Sequence, residues 1–508
     1  MRTLLVGIDS GTQSTKVVIV DARDGKVVAS ASQAYDLIPD LPPGAKEQHP
    51  HTWRDATASA IRQGLRQAKA VGSEVAAIGV SGQQHGFVPL DKAGEVIRPA
   101  KLWCDTSTAA ECAEIMEHLG GFKSTIRTLG NAVLPGFTAS KILWLKKHEP
   151  KNFARLATVL LPHDYLNFWL TGQRTMEYGD ASGTALMDVK KRKWSQAAVS
   201  AIDPDLVEKL PPLQSSDKPA GTLQPSTARQ LDLSPDILVS AGGGDNMMGA
   251  IGTGNTRDGV ITASFGTSGT IYACSEKPVI DPKGEIAAFC DSTNRWLPLL
   301  CTMNVTVATE MMRRYLAWTH EKFDAAVGRV PAGSKGLVLL PYFEGERTPN
   351  MPDGTGVLFG VNDRTWAPEV FARAAMEGVT LGMNYGLRRL AELGLKPRQI
   401  RATGGGAKAK SWRQIMADVF NAEVVTLKVA EGAAYGAALQ ALWCWRLQRG
   451  ERVSISEITD EFVQINSVET AEPEKHNVAV YRELQSIQDD LSTNLRDVFS
   501  KHRQFLLR

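Results

Sequence analysis

The sequence predicts a mixed α/β protein built from two related halves, and three observations carry that reading. The chain opens as strand, tight turn, strand: Leu4 to Asp9, Ser10-Gly-Thr-Gln-Ser14, then Lys16 to Asp21. The plan restarts at Asp258 to Phe265, followed by the turn Gly266-Thr-Ser-Gly269 and a strand from Thr270 to Cys274. Each half also sets three glycines between an apolar strand and a helix-like run, at 242–244 and at 404–406. A weak two-copy repeat, its halves meeting near residues 250 to 257, accounts for all three.

Leu4 to Asp9 is a short apolar run, the pattern of a strand buried on both faces. The turn after it is Asp-x-Gly-Thr, where a nucleotide-binding βαβ unit would begin a helix. Asp24-Gly25 is a hairpin dipeptide leading into Lys26 to Ala31. Proline-rich Ile38 to Pro50 reads as loop and Thr52 to Lys69 as helix. Val75 to Val80 is another buried strand, ending in Ser81-Gly-Gln-Gln-His-Gly86. Leu102-Trp-Cys-Asp105 precedes a helix-like run from Thr108 to Leu119. Residues 137 to 190 read as helical with polar breaks, and 204 to 235 as a proline-broken stretch. Ile237 to Ala241 is a strand that runs into Gly242-Gly-Gly-Asp-Asn246. In the second half Pro368 to Leu393 is helical, Gln399 to Gly406 is strand and glycine turn, and a helix starts near Ser411. Val478 to Leu507 has amphipathic helical spacing.

A chain of 508 residues is sized for several domain-sized units. Its 57 basic and 55 acidic residues leave a net charge of +2, which gives no general attraction to nucleic acid or an anionic membrane. The six cysteines show neither CxxC spacing nor a Cys/His zinc array, and so few in a long chain fit a reducing compartment. The opening apolar run is too short for a signal peptide. The longest nearly apolar stretch, Gly432 to Trp445, is too short to span a membrane and carries Gln440 inside. A cytoplasmic protein is expected.

The glycine triple at 242–244 leaves bare backbone, and Asp245 stands at its mouth, placed to meet a ligand hydroxyl. The plainer alternative is a strand-to-helix turn with Asp245 as N-cap. The two Gly-Thr turns can present backbone N–H groups and a hydroxyl to phosphate, although each alone also reads as an ordinary hairpin. Asp9, at its strand's end, is a hard oxygen donor suited to magnesium, and Lys16 can add positive charge. Gln83, Gln84 and His85 offer side-chain amides and an imidazole at a strand's end, suited to sugar hydroxyls, against the alternative of a structural histidine. Trp103 with Asp105 can form an aromatic wall and an acceptor, or simply a buried Trp beside a solvated Asp. Gly404-Gly-Gly-Ala-Lys-Ala-Lys-Ser411 misses the P-loop pattern because Ala409 stands where glycine is required. The triple still suits a flat ligand such as adenine, or else a close strand–helix crossing.

Asp9-Ser-Gly-Thr12, Gly82-Gln-Gln-His-Gly86, Gly242-Gly-Gly-Asp-Asn246, Gly266-Thr-Ser-Gly269, Gly345-Glu-Arg-Thr-Pro349 and Gly404-Gly-Gly-Ala407 occur in that order. Together, over about residues 3 to 445, they resemble the FGGY carbohydrate kinases and, within them, the xylulokinases. The resemblance implies two actin-like (ribonuclease H-like) α/β domains with a central interdomain cleft where sugar and ATP meet. It divides the chain into a sugar-binding half at 1–252, an ATP-binding half at 253–450 and a helical tail at 451–508. It implies Asp245 as general base and Asp9 as the phosphate-side aspartate and Mg²⁺ ligand. Sugar contacts fall on Gln84, His85, Trp103, Asp105, Asp245 and Asn246. Nucleotide contacts fall on Gly11, Thr12, Gln13, Lys16, Gly266, Thr267, Gly405 and Gly406. One departure is Ser107, where many relatives carry arginine.

The implied reaction is phosphoryl transfer from Mg-ATP to a ketose, D-xylulose first, with ribulose, glycerol or a sugar acid as alternatives. The partners expected are a small sugar and ATP, with no nucleic acid and no membrane; a homodimer is a candidate assembly. A chaperone-like ATPase on the same scaffold is the rival class, since fold does not fix function.

Overall fold

The structure, a computed structural model, describes residues 2–506. The chain forms two compact α/β units that alternate along the sequence. Unit 1 takes the chain up to Arg257, Cys274–Pro298 and Glu431–Val463. Unit 2 takes Asp258–Ala273, Leu299–Ala430 and the chain from Gln464 on. A division by residue order at 252/253 therefore differs from the division in space, because the helix Gly432–Gln448 returns to unit 1.

In unit 1 the strand Leu4–Ser10 lies at the centre of the sheet. It pairs antiparallel with Ser14–Asp21, which pairs antiparallel with Val27–Ala34. On its other side it runs parallel to Val75–Gly82. Leu238–Val239 and then Gly243–Gly244 lie parallel to that strand in turn. Leu4, Leu5, Val6 and Ile8 are fully buried, as an apolar run covered on both faces requires. Each such side chain contributes roughly 1.5–3 kcal/mol of burial. The helix Gly432–Gln448 covers one face at very short range: a Cβ on Gly7 would stand 2.0 Å from the Ala434 carbonyl oxygen, and one on Gly79 2.0 Å from that of Ala437. The same helix receives Asp245–Gly252, where a Cβ on Gly436 would meet the Met248 oxygen at 1.8 Å.

Strand register decides which residues meet at the edge of this sheet. Asp9 is level with Ser81, and Gly243 and Gly244 are level with Ser81 and Gly82. Three parallel segments thus end together, and their carboxyl ends are where open α/β sheets present ligand-binding groups.

Unit 2 repeats the plan. Val260–Phe265 pairs antiparallel with Gly269–Ala273, which pairs antiparallel with Leu299 to Thr302. On its other side come Gln399–Thr403 and Glu423–Leu427, both parallel, and then Ile465–Ala471, antiparallel. The helix Pro368–Glu392 matches its expected span within a residue. The tail is not purely helical, since Ile465–Ala471 is an edge strand of this sheet. Beyond it stand two helices, Lys475–Asn494 and Arg496–Leu506, rather than one; Leu507 of the expected helix lies outside the described residues. Tyr481 anchors the first by donating to Glu377 at 2.7 Å, and Gln488 by donating to the carbonyls of Leu339 and Gly378.

Candidate active site

The ends of the unit 1 strands bring Asp9, Gln84, His85, Asp245 and Asn246 together in one region. Asp9 accepts a hydrogen bond from the Ser81 hydroxyl at 2.9 Å. Burial raises its pKa, opposed by Ser81 and by Lys16, which is exposed and paired with Asp9 in register. Asp245 is the first residue of the helix Asp245–Gly252, with Gly244 in the N-cap position. Its Oδ1 accepts from the Asn246 amide at 2.7 Å and from Asn246 Nδ2 at 2.9 Å. Burial, and then the Asp9 charge, pushes this half-buried carboxyl up to about 7 despite the helix N-terminus beside it.

Asn246 Nδ2 also donates to Gln84 Oε1 at 2.8 Å. Gln84 is buried and its Nε2 has no partner among the described residues, so it holds a donor in reserve. Gly244 makes room for it, because a Cβ there would stand 2.6 Å from Gln84 Cγ. Gly242 takes φ +71 and is held at both its N–H and C=O by the buried Gln440, which also accepts from Ser240. That explains the polar Gln440 inside the otherwise apolar stretch Gly432 to Trp445 of this helix. His85 has φ +63, and its ring lies against Phe137 and Phe289.

The first Gly-Thr turn is braced rather than free. The Gly11 carbonyl accepts from Tyr35 and Gln83, the Thr12 carbonyl from Gln48, and the Thr12 hydroxyl from Trp103 Nε1 at 2.9 Å. The Gln13 side chain is exposed while its carbonyl accepts from Tyr35 N. Sequence reasoning missed Tyr35 and Gln48, since nothing in their local pattern marks them; Gln83, read with Gln84 and His85 as an amide suited to sugar hydroxyls, braces this turn instead. Trp103 is 38% exposed, as a wall requires. Asp105 is not the open acceptor expected. It is fully buried and accepts from Lys101 Nζ, the Lys46 N–H, and both the N–H and hydroxyl of Ser107. A ligand could reach it only by displacing those donors. Beneath the glycine triple lies a buried ion cluster. His163 sits between Asp164 at 2.9 Å and Asp180 at 2.8 Å, and against the opposing effect of burial they hold its pKa well above the ordinary value.

Unit 2 carries the second turn. The Gly266 and Thr267 carbonyls accept from Thr306 N and Val305 N, and Thr267 itself is exposed. Gly404 takes φ +84 against the Phe265 carbonyl, and Gly405 is open, with nothing within 4 Å of an added Cβ. Gly406 is buried against Phe265 and Trp412, so at this residue the close-crossing reading applies. Ser411 caps onto Asp324, unlike a P-loop serine. Glu346 of the Gly-Glu-Arg-Thr-Pro segment is buried, and its carboxylate accepts from Met303 N, Arg347 N and Asn304 Nδ2. Asn304 directly precedes the two N–H groups that hold the Gly266-Thr267 turn.

Among the described residues no cluster of three or more His, Cys, Asp or Glu side chains could hold a metal ion by itself. Asp9 still fits magnesium arriving with a nucleotide, because that ion takes one or two carboxylates and completes its shell with phosphates and water. A cation there would also offset the charge burden shared by Asp9 and Asp245. No helix among the described residues is long and apolar enough to cross a membrane.

Comparison with known proteins gives matches over most of the chain. The family model "FGGY family of carbohydrate kinases, N-terminal domain" matches residues 4–252, and the C-terminal domain model of that family matches 261–445. A xylulose kinase of Haemophilus influenzae is 41% identical over 485 residues, covering 94% of this chain and 97% of that one. A ligand-bound xylulose kinase from Lactobacillus acidophilus superposes with TM-score 0.90 at 26% identity, over 98% of this chain and 100% of that one. A gluconate kinase from the same organism also gives TM-score 0.90 at 26% identity, over 99% and 100%. The two-domain actin-like α/β class expected from the sequence is the class of these structures.

Proposed function

The chain belongs to the FGGY family of carbohydrate kinases, and we propose that it transfers the γ-phosphoryl group of ATP to O5 of D-xylulose with Asp245 as general base. It is an ATP-dependent carbohydrate kinase acting on a small sugar. The observation that carries the finer reading is the convergence of Asp245, Asn246 and Gln84 at one strand terminus, with the Gln84 Nε2 donor uncommitted.

In this reading Gln84, His85 and Asn246 hold the hydroxyls of an open-chain ketose, and Trp103 walls one side. The sugar O5 forms a bond to the γ-phosphorus as the bond to the bridging oxygen breaks and ADP leaves. The O5 proton passes to Asp245, late, once the oxygen is losing electron density to phosphorus. Asp245 is well matched to that task because its raised pKa makes it a stronger acceptor than an ordinary aspartate. The protein otherwise positions and stabilises: in unit 1 the braced Gly11-Thr12 turn and Lys16 offer donors and charge to phosphate, while unit 2 by itself offers a second Gly-Thr turn at Gly266-Thr267 and, at open Gly405, bare backbone for a flat base. Magnesium held by Asp9, directly or through water, would neutralise charge on the phosphates.

The test is ADP release with and without D-xylulose, with product analysis for xylulose 5-phosphate. Strong stimulation by D-xylulose is expected. Stimulation by gluconate, D-ribulose or glycerol instead would keep the family and discard this substrate. Hydrolysis indifferent to every sugar would discard the acceptor reading itself.

A further inference from the structure

Lys141 lies on the helix Thr138–His148 and is fully buried, yet no carboxylate pairs with it among the described residues. Its ammonium donates to two backbone carbonyls, that of His85 at 2.7 Å and that of Gly136 at 2.5 Å. Burying a lysine so costs several kcal/mol unless its bonds are used, and burial pushes its pKa down to about 7.

One acceptor belongs to a residue of the candidate sugar site, His85, and the other, Gly136, packs against the backbone of Trp103. His85 stands in the left-handed region, a conformation a non-glycine residue keeps only where its surroundings enforce it. The enforcement is visible on every side. Its carbonyl accepts from Lys141 and also from the Thr138 hydroxyl at 3.1 Å. Its N–H donates to the carboxylate of Asp180, itself clamped by His163. Its ring is confined by Phe137 and Phe289, and a Cβ on Gly183 would stand 2.2 Å from it. Gly136, at φ +98, presses on the backbone of Trp103, where an added Cβ would lie 2.3 Å from the Trp103 carbonyl oxygen. One ammonium therefore ties the turn bearing His85 to the turn that backs Trp103.

We propose that Lys141 is a positioning residue for the acceptor sugar, fixing His85 and Trp103 relative to one another through the carbonyls of His85 and Gly136. Thr138 and Asp180 complete the hold on His85. The proposal rests on the reading that His85 and Trp103 face the sugar. It adds that the pocket's shape is set by a buried amino group, through its two hydrogen bonds, that itself touches no substrate.

The experiment uses the full chain with Lys141→Met, which keeps the length and apolar stem but removes the donors. The Michaelis constant for D-xylulose should rise roughly tenfold or more while that for ATP stays within about twofold. In parallel, the His85 ring signal in a ¹³C-histidine NMR spectrum, identified by its loss in His85→Ala, should shift in Lys141→Met without sugar present. Thr138→Val removes a weaker donor to the same carbonyl and should move both readouts in the same direction by less; it also carries the test if Lys141→Met does not fold. A folded variant with unmoved His85 signal and unchanged ketose constant overturns the proposal. So does an equal rise in both Michaelis constants with a lowered melting temperature, which would make Lys141 merely structural. If the wild type ignores D-xylulose but the His85 signal still shifts, the clamp stands and the substrate reading falls.

Discussion

Replacing Asp245 with Asn should inactivate the protein and at the same time stabilise it. The amide keeps the size of the side chain and an oxygen for the Asn246 N–H, but it cannot take a proton. Loss of the proposed general base should lower kcat by about 10²–10⁴, equivalent to roughly 3–5 kcal/mol of barrier. Stability moves the other way. The folded pKa of Asp245 is raised from 3.8 to about 7, so between those values the unfolded chain ionises first and the native state loses stability as pH rises. Three units set a ceiling of about 4 kcal/mol, and solvent reaching a half-buried group reduces it to the order of 1–2 kcal/mol. The uncharged amide escapes that cost, so the variant should melt a few degrees above wild type at pH 8 and equal it near pH 4. Single-turnover phosphorylation and calorimetry at the two pH values read both effects. Near-normal turnover would refute the base assignment. Inactivity with a lowered melting temperature at pH 8 would refute the electrostatic account and mean that the site had collapsed.

His85→Ala should raise the Michaelis constant for the ketose roughly tenfold or more and leave that for ATP nearly unchanged, as steady-state kinetics with each substrate varied would show. The pH profile of kcat/KM for the sugar should fall on the acid side as Asp245 takes up its proton, with a limb near or somewhat below 7; a profile flat down to pH 5 would deny Asp245 the role. Glu346→Gln should weaken ATP rather than sugar, because it loosens Met303 and Asn304 just before the N–H groups that hold Gly266 and Thr267; nucleotide titration by calorimetry checks it.

The parts of the fold that were legible in the sequence are those whose signal is local. Both strand–turn–strand openings and the helix Pro368–Glu392 follow from apolar periodicity and turn chemistry within a few residues. The return of Gly432–Gln448 to unit 1 was not legible. From Gly432 to Trp445 that helix is apolar on every face but for Gln440, so no stripe says which sheet it covers; the fit is made by Gly7 and Gly79, far away in sequence. The strand Ile465–Ala471 is missed because an edge strand with polar, exposed positions carries little apolar alternation. The end of the helix at Asn494 has neither proline nor glycine to announce it. In the site, Asp9, Gln84 and Asp245 are readable as polar residues ending buried strands. Asp105 misleads because its partner Lys101, four residues away outside any helix, turns it inward.

Specificity must then lie in fewer groups than the motifs suggest. Similarity of fold cannot choose the sugar, since a xylulose kinase and a gluconate kinase superpose on this chain equally well. Ser107 does not open a new contact either, because its hydroxyl is spent on Asp105 and accepts from Lys101. What discriminates hydroxyl patterns is a buried polar group that a wrong substrate leaves unpaired, worth far more than the loss of an exposed one. Among the motif residues Gln84 Nε2 answers that description: buried, without a partner among the described residues, and fixed in direction because Asn246 holds its oxygen. Through Asn246 the same amide is tied to Asp245, so under the proposed mechanism a sugar that satisfies Gln84 also fixes the carboxylate proposed to receive its proton. If the proposed roles hold, selection and catalysis share the one hydrogen-bonded chain Gln84–Asn246–Asp245, and a substitution at Gln84 should alter kcat as well as KM.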